Sequence, residues 1–185
     1  MAEQTILGFA LLGLLETQPM SGYDLRKIFA TSAMGSFSDS PGAIYPALGR
    51  LEKSGLVRGT LEGPSSLRPK RVYRVTPKGA AAFRAWLKKP VTRDDVVRHS
   101  NHLMLRFAFM DSSLGAEHAV RFLKQLAAQV EDYLPDLRGY LATQGSVMPL
   151  SGRLALEFGM EEYKTLLKWA RNSIALYERG KRERK

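Results

Sequence analysis

The spacing of apolar residues changes sharply after Gly55, and this change constrains the fold more than any other feature of the chain. Before Gly55, apolar residues recur at helical intervals in three segments, which are separated by Pro19 and by a polar link. After Gly55, the runs LVRGTLEG and KRVYRVT alternate like strands, and Pro77 begins a fourth helix. Three helices, a β-hairpin and a further helix are the elements of a winged helix-turn-helix, which we predict for this part of the chain.

The second half of the chain is predicted to be all helical. Two of its segments repeat apolar residues at alternating steps of four and three, the heptad spacing of helices that pack along one seam. We therefore predict a mainly α protein with a small β-hairpin: a winged helix-turn-helix domain in residues 1–90, and a coiled-coil-like, all-α dimerisation domain in residues 91–185. An intramolecular coiled coil of the two helices is the alternative to a seam between two chains. The residues predicted to form the seam are Leu123, Leu126, Val130, Leu167, Ala170, Ile174 and Tyr177.

The third predicted helix, within SDSPGAIYPALGRLEKSGLV, has one unusually bare face. At about 100° per residue, its larger apolar side chains cluster on the opposite face. The bare face would let the helix backbone lie deep in a groove of nucleic acid. Basic side chains, and the free N–H groups of the first turn that follows Ser40, would then bind phosphates. An ordinary surface helix with a distorted first turn is the alternative. The residues predicted to lie at this interface are Ser40, Gly42, Tyr45, Pro46, Gly49, Arg50 and Lys53.

The net charge favours the same kind of partner. The chain has 28 Lys and Arg against 18 Asp and Glu, a net charge of +10, which indicates a polyanion, with nucleic acid ahead of an anionic membrane. Residues 50–89 contain eleven of these basic residues and only two acidic ones. In the predicted hairpin loop and returning strand, Arg68, Lys70 and Arg71 are placed to lie along a phosphate backbone as a wing, because packing would not use their charge. A solubilising charged loop is the alternative.

Other classes of protein find less support in the sequence. With no cysteine, the chain lacks disulfides, thiolate metal sites and cysteine nucleophiles. No P-loop, Rossmann, HExxH or GxSxG motif is present, so we predict no enzyme activity, no catalytic residue and no cofactor. His99 and His102 lack a placed carboxylate, so we predict no metal site. The apolar run at residues 6–15 is too short to cross a bilayer, and without a targeting segment we expect a cytoplasmic location.

Several aromatic residues have two interpretations. They either line a pocket for a small effector or, as is more common for aromatics at helical spacing, form core. These residues are Trp86, Phe107, Phe109, Tyr133, Tyr163 and Trp169.

Three stretches make the chain resemble the PadR-like transcriptional regulators, in the subgroup with a long C-terminal helical domain. The stretches are MSGYDLRKIF, SPGAIYPALGRLEKSGLV and KRVYRVTPKGAAAFRAWL. They are similar to the family's Gly-Tyr second helix, its Tyr-Pro recognition helix, and its basic return strand with Tyr and Thr-x-x-Gly. The resemblance implies a homodimeric repressor that binds palindromic operators in double-stranded DNA and is released by small molecules, which are aromatic in some members. By position it implies DNA contacts for Tyr23, Ser40, Tyr45, Arg50 and the wing residues.

Our interpretation is therefore a sequence-specific DNA-binding transcriptional regulator that acts as a homodimer. The alternative is a winged-helix module that binds protein or RNA without operator binding. The bare third helix favours DNA, because the major groove of A-form RNA is too narrow to admit it. An enzyme that binds anionic substrates is a third hypothesis, and the missing catalytic motifs weigh against it.

Overall fold

The computed structural model describes residues 4–37, 40–63 and 69–182. The chain divides into two compact units, residues 1–89 and residues 90–185. In the first unit, a short 3₁₀ helix at Ala33–Ser36 lies between the second and third α-helices. The elements of this unit are α1 (Ile6–Thr17), β1 (Met20–Ser21), α2 (Gly22–Thr31), α3 (Pro41–Lys53), β2 (Val57–Glu62), β3 (Lys70–Val75) and α4 (Pro77–Leu87).

The starts of the helices in the first unit follow local capping chemistry. The Ser21 side chain accepts a hydrogen bond from the Asp24 N–H, while Asp24 accepts from the Ser21 N–H, which completes a capping box. Thr76 caps α4 by accepting from the Gly79 N–H at 3.0 Å. Each cap satisfies a backbone donor that has no acceptor within the helix. The predicted start of the fourth helix at Pro77 is confirmed.

A three-stranded antiparallel sheet forms in the first unit, in the order β1-β3-β2. The predicted hairpin is confirmed, with Val57 opposite Val75 and Glu62 opposite Lys70. The sequence did not predict β1, because two residues are too few to show an alternating pattern. Within the described residues β3 is the central strand, so β2 has a neighbour on one side only.

The core of the first unit is built by α1, α3, α4 and β3. The nearly all-apolar α1 packs against the other three elements, which explains why it lacks a polar face. At one end of this core, the rings of Phe9 and Trp86 stack with their centroids 4.4 Å apart. The fully buried side chains of the unit include Leu11, Leu12, Leu25, Phe29, Ile44, Leu48, Leu51 and Phe83.

The regular secondary structure in the described part of the second unit is all helical. Its two long helices pack against each other, and pairs such as Tyr133–Tyr163 and Glu131–Arg171 show that they run antiparallel. Farther along, the Tyr177 hydroxyl donates to Asp111 Oδ2 at 2.7 Å and ties the last helix to a shorter one. The elements of this unit are α5 (Arg93–Arg98), α6 (Ser100–Ala108), α7 (Met110–Leu114), α8 (Ala116–Gln144) and α9 (Leu150–Arg182).

The two predicted heptad segments lie on α8 and α9, which pack on each other within a single chain. Leu123, Leu126, Val130 and Ala170 each have 0% of their surface exposed. These four side chains are therefore not available, as they stand, to a second chain. The intramolecular packing that we considered as the alternative accounts for their spacing. Three other predicted seam residues are only partly buried, and their role between chains stays a prediction: Leu167, Ile174 and Tyr177.

Among the residues that the structure describes, none of the helices has both the length and the apolar character that a membrane span requires.

Candidate nucleic-acid interface

Helix α3 has the two faces that its sequence predicted. Ile44, Leu48 and Leu51 are fully buried against the core, and Ala47 is nearly so. The opposite face is exposed, and it carries two glycines and a proline together with two basic side chains. Its exposed residues are Gly42, Tyr45, Pro46, Gly49, Arg50 and Lys53. A partner as large as a DNA duplex therefore meets exposed backbone and positive charge here, together with the ring of Tyr45.

The start of α3 differs from the predicted phosphate site. Ser40 caps the helix, and its Oγ accepts from the Gly42 N–H at 3.2 Å. The Ser40 carbonyl accepts from the N–H groups of Ala43 and Ile44, at 3.0 and 3.1 Å. Pro41 has no N–H to offer. The first-turn donors are thus already used within the chain, and the expectation of free N–H groups at this helix end was wrong; the contact of Ser40 with DNA stays a prediction.

Pro46 lies inside α3 without interrupting it. A proline at this position cannot donate to the carbonyl of Gly42, four residues earlier. Both residues are exposed, so water can satisfy that carbonyl instead. The proline is tolerated because it falls on the outer face, near the start of the helix.

Tyr45 has a packing role in addition to its exposure. Its ring lies directly against Gly22 in the first turn of α2, where a methyl group on Gly22 would come 2.5 Å from Tyr45 Cε1. The ring is still 46% exposed, so one edge faces solvent. Tyr45 therefore fixes α2 against α3 in the helix-turn-helix. On α2 itself, Tyr23 is exposed, and the guanidinium of Arg26 lies 5.8 Å from the centre of its ring.

The structure bears differently on each of the three predicted wing residues. Arg68 lies outside the described residues. Lys70 begins β3 and is exposed, as predicted. The prediction that packing does not use the charge of Arg71 was wrong, because Arg71 Nη2 donates to both carboxylate oxygens of Glu52 on α3, at 2.9 and 2.8 Å. Hydrogen bonds from Arg71 and from the Gly59 N–H stabilise the charged form of Glu52 and hold its pKa below the ordinary value.

Sequence reasoning missed Glu52 and Gly59 as parts of this region. Glu52 is one of only two acidic residues between positions 50 and 89, so its rarity in a basic segment was the available signal. The second acid, Glu62, pairs with Arg74 farther out on the hairpin. Neither partner was evident from the sequence, because the pairs form only when the hairpin folds back.

The aromatic residues considered for an effector pocket pack mainly on one another. Phe107 makes an edge contact with Trp169, with ring centroids 5.2 Å apart, and Tyr133 meets Tyr163 in the same way at 5.2 Å. Trp86 belongs to the core of the other unit. This packing favours the core interpretation for these pairs.

The two histidines stack on each other. The rings of His99 and His102 are 5.0 Å apart, and Asp94 lies 3.8 Å from His99 Nε2. No group of three potential metal ligands comes together within the described ranges.

An exposed, glycine-bearing third helix beside a basic antiparallel hairpin defines the winged helix-turn-helix class of DNA-binding regulators. Residues 11–85 of the chain match the sequence model of the transcriptional regulator PadR-like family. The chain is 27% identical over 184 residues to the Negative transcriptional regulator PadR of Bacillus subtilis (strain 168). The alignment covers 94% of this chain and 98% of that protein.

Solved structures of B. subtilis PadR are also similar to this chain. The crystal structure of that protein in complex with operator DNA has 25% identity and a TM-score of 0.45, and covers 94% of this chain and 99% of that one. Its crystal structure in complex with p-coumaric acid has 24% identity and a TM-score of 0.43, with the same coverage of 94% and 99%.

Proposed function

We propose that the protein is a transcriptional repressor that binds a palindromic operator in double-stranded DNA as a homodimer. The observation that carries this proposal is the outer face of α3, which is bare, basic and exposed beside the hairpin. The name of the B. subtilis relative, a negative transcriptional regulator, supports repression rather than activation. We assign DNA binding to residues 1–90 and dimerisation to residues 91–185. This role requires no catalytic step, and we expect the protein to act on DNA in the cytoplasm.

The operator contacts follow from the composition of the α3 face. Gly42, Pro46 and Gly49 let the helix backbone approach base edges in the major groove, which is wide enough to admit an α-helix. Arg50 and Lys53 extend from the same face towards phosphates, which position the protein without reading sequence. Further phosphate and backbone contacts are proposed for Tyr23, Ser40, Tyr45, Arg68 and Lys70.

The dimer contact is proposed on the exposed side of α9. Leu150, Leu154 and Phe158 are 63%, 52% and 65% exposed and recur every four residues, so they lie along one face of the helix. Val147, just before the helix, is exposed as well. An apolar stripe of this kind marks a protein contact. A second copy is the occupant that we propose, because a two-fold contact joins the stripe to itself and presents two winged helices to two half-sites.

Selection of bound sequences from random duplex DNA, at two salt concentrations, tests this function. We expect palindromes whose half-site centres are separated by about 34–36 Å or a multiple of it. Affinity for the selected duplex should exceed non-specific affinity by roughly a thousandfold or more. If the protein selects no duplex but binds RNA or a protein, it is the winged-helix interaction module that we considered as the alternative.

We further propose that a small anionic aromatic compound releases the protein from its operator. The family resemblance supports this. Arg106 supports it too, because it places a buried positive charge beside an aromatic ring: its guanidinium lies 5.2 Å from the centre of the Phe122 ring. Titration of aromatic carboxylates into the operator complex should release DNA, while their uncharged amides should not. Equal release by both series would contradict a role for the buried cation.

A further inference from the structure

Three groups from three elements meet at the base of the hairpin. Glu52, near the end of α3, accepts from Arg71 Nη2 on β3 and also from the Gly59 N–H on β2, where its Oε1 lies 2.8 Å from the nitrogen. One carboxylate thus contacts both strands of the hairpin. The guanidinium of Arg71 also lies 5.8 Å from the centre of the Tyr73 ring, which limits its freedom from the other side.

The backbone geometry explains why β2 offers an N–H to Glu52. Strand β2 is at the edge of the sheet, since β3 separates it from β1. In an antiparallel pair, backbone groups of an edge strand alternate between pointing at the neighbour and pointing away from it. The Gly59 N–H is one of the groups that point away, and Glu52 is its acceptor. The hydrogen bond therefore joins α3 to the hairpin backbone itself, not only to a flexible side chain.

Gly59 leaves the space in which this contact forms. A methyl group at residue 59 would lie 2.6 Å from Arg71 Nε and 2.9 Å from Glu52 Oε1. Both are side-chain atoms, so alanine at this position would push Arg71 and Glu52 aside rather than break the strand.

We propose that Glu52, Gly59 and Arg71 form a wing brace, which sets the position of the hairpin relative to α3 and thereby supports operator binding. The inference rests on the proposed function, and it makes Glu52 and Arg71 positioning residues rather than DNA contacts. A charged pair that is held by several hydrogen bonds fixes geometry better than a single flexible side chain does. The hairpin must lie at the correct distance from α3 for both to reach the same duplex.

The wing brace predicts that loss of Glu52 changes DNA affinity in the direction opposite to the one that charge alone would produce. Glu52 is a negative charge beside a surface that binds a polyanion, so its removal should strengthen DNA binding if charge were its only effect. If Glu52 positions the wing, its removal should weaken binding instead. Arg71→Lys separates the two effects in the same way, because it keeps the positive charge but cannot reproduce the planar geometry of the guanidinium.

The test measures the affinity of the full chain for its selected operator duplex by fluorescence anisotropy. We expect Glu52→Ala, Gly59→Ala and Arg71→Lys each to weaken binding roughly tenfold, with little change in melting temperature. The double variant Glu52→Ala with Arg71→Lys should be no weaker than the worse of the two single variants. Glu62→Ala is the matched control: it removes an equal charge, from the hairpin itself and without touching α3, and should bind as well as the unmodified chain or better.

Amide hydrogen exchange in the DNA-free protein gives a second readout. The Gly59 N–H should exchange faster in Glu52→Ala than in Glu62→Ala. Equal exchange rates would show that the hydrogen bond is absent in solution and would overturn the wing brace. So would operator binding by Glu52→Ala that equals or exceeds that of the unmodified chain. If the unmodified chain selects no duplex, the proposed function fails, and the inference fails with it.

Discussion

Two helical glycines in the first unit have opposite surroundings. A methyl group on Gly79, in α4, would lie 1.9 Å from the carbonyl oxygen of Leu56, so the helix can approach the chain there only without a side chain. A methyl group on Gly49, in α3, would meet nothing within 4 Å in the described structure. The first glycine is required by packing, whereas the second is an open position on the proposed DNA face.

Alanine at these two positions should therefore change stability in opposite directions. Gly79→Ala should lower the free energy of unfolding by about 1–3 kcal/mol, because a clash with backbone outweighs the gain in helix propensity. Gly49→Ala should raise it by up to about 1 kcal/mol, since only the propensity changes. Urea denaturation of both variants measures the difference. A stabilised Gly79→Ala variant would contradict the close approach to Leu56.

A larger, charged side chain at Gly49 should affect binding without affecting the fold. Gly49→Glu places a carboxylate on the exposed face of α3, where a glutamate is compatible with the helix. We expect loss of operator binding with an unchanged circular dichroism spectrum and a melting temperature no lower than that of the unmodified chain. Gly49→Ala is its control and should retain most of the binding. Normal binding by Gly49→Glu would place this face away from the DNA.

At the scale of elements, the sequence predicted those whose signals are local. The start of α4 followed from Thr76-Pro77, and the faces of α3 followed from its helical spacing, because both depend on residues close together in the chain. Strand β1 was missed, since it exists only through pairing with β3. The hydrogen bonds of Glu52 were missed for the same reason: Arg71 is distant in sequence and reaches α3 only after the hairpin has formed.

The heptads show how one pattern can serve two kinds of packing. Steps of three and four predict a seam but do not say whether the facing helix belongs to the same chain. In this protein α8 and α9 face each other within the chain, and the apolar stripe left exposed lies elsewhere on α9, at Leu150, Leu154 and Phe158.

The contact between α9 and α7 makes a prediction about alkaline pH. Burial, and then the hydrogen bond to Asp111, raise the pKa of Tyr177 from 10.0 to about 12. Because the folded pKa is raised, the stabilisation is fully present below pH 10, the ordinary value for tyrosine, and is lost as pH rises through about 12.

Comparison with Tyr177→Phe isolates this effect. The variant should be less stable than the unmodified chain at neutral pH, and the difference should shrink over the stated alkaline range. Denaturant unfolding measures stability, and the difference in tyrosinate absorbance between the two proteins reports the titration itself. A Tyr177 that titrates near its ordinary value would mean that the hydrogen bond to Asp111 does not persist in solution.

For the whole molecule, the proposed dimer links specificity to symmetry. One winged helix covers few base pairs, so a single unit provides limited discrimination among the many competing sites of a genome. Two units related by a two-fold axis double the readout and require an operator with matching symmetry.

Charges placed in the exposed α9 stripe should separate the two copies. Leu154→Asp with Phe158→Asp should give a monomer in sedimentation at micromolar concentration, because two buried carboxylates would oppose association. The monomer should lose operator specificity and keep weak, salt-sensitive DNA binding. Leu61→Asp, at an exposed apolar residue of the hairpin, is the control and should remain dimeric. An unmodified chain that sediments as a monomer would refute the dimer.

The position of β2 at the edge of its sheet bears on whether the protein aggregates at high concentration. An unpaired strand edge is a template on which a foreign strand can add, and this is a route to aggregation. Glu52 occupies the outward N–H of Gly59, and the polar side chains of Arg58, Thr60 and Glu62 are exposed along the same short strand. The carboxylate that holds the hairpin to α3 therefore also occupies one of the outward donors on which a foreign strand would pair.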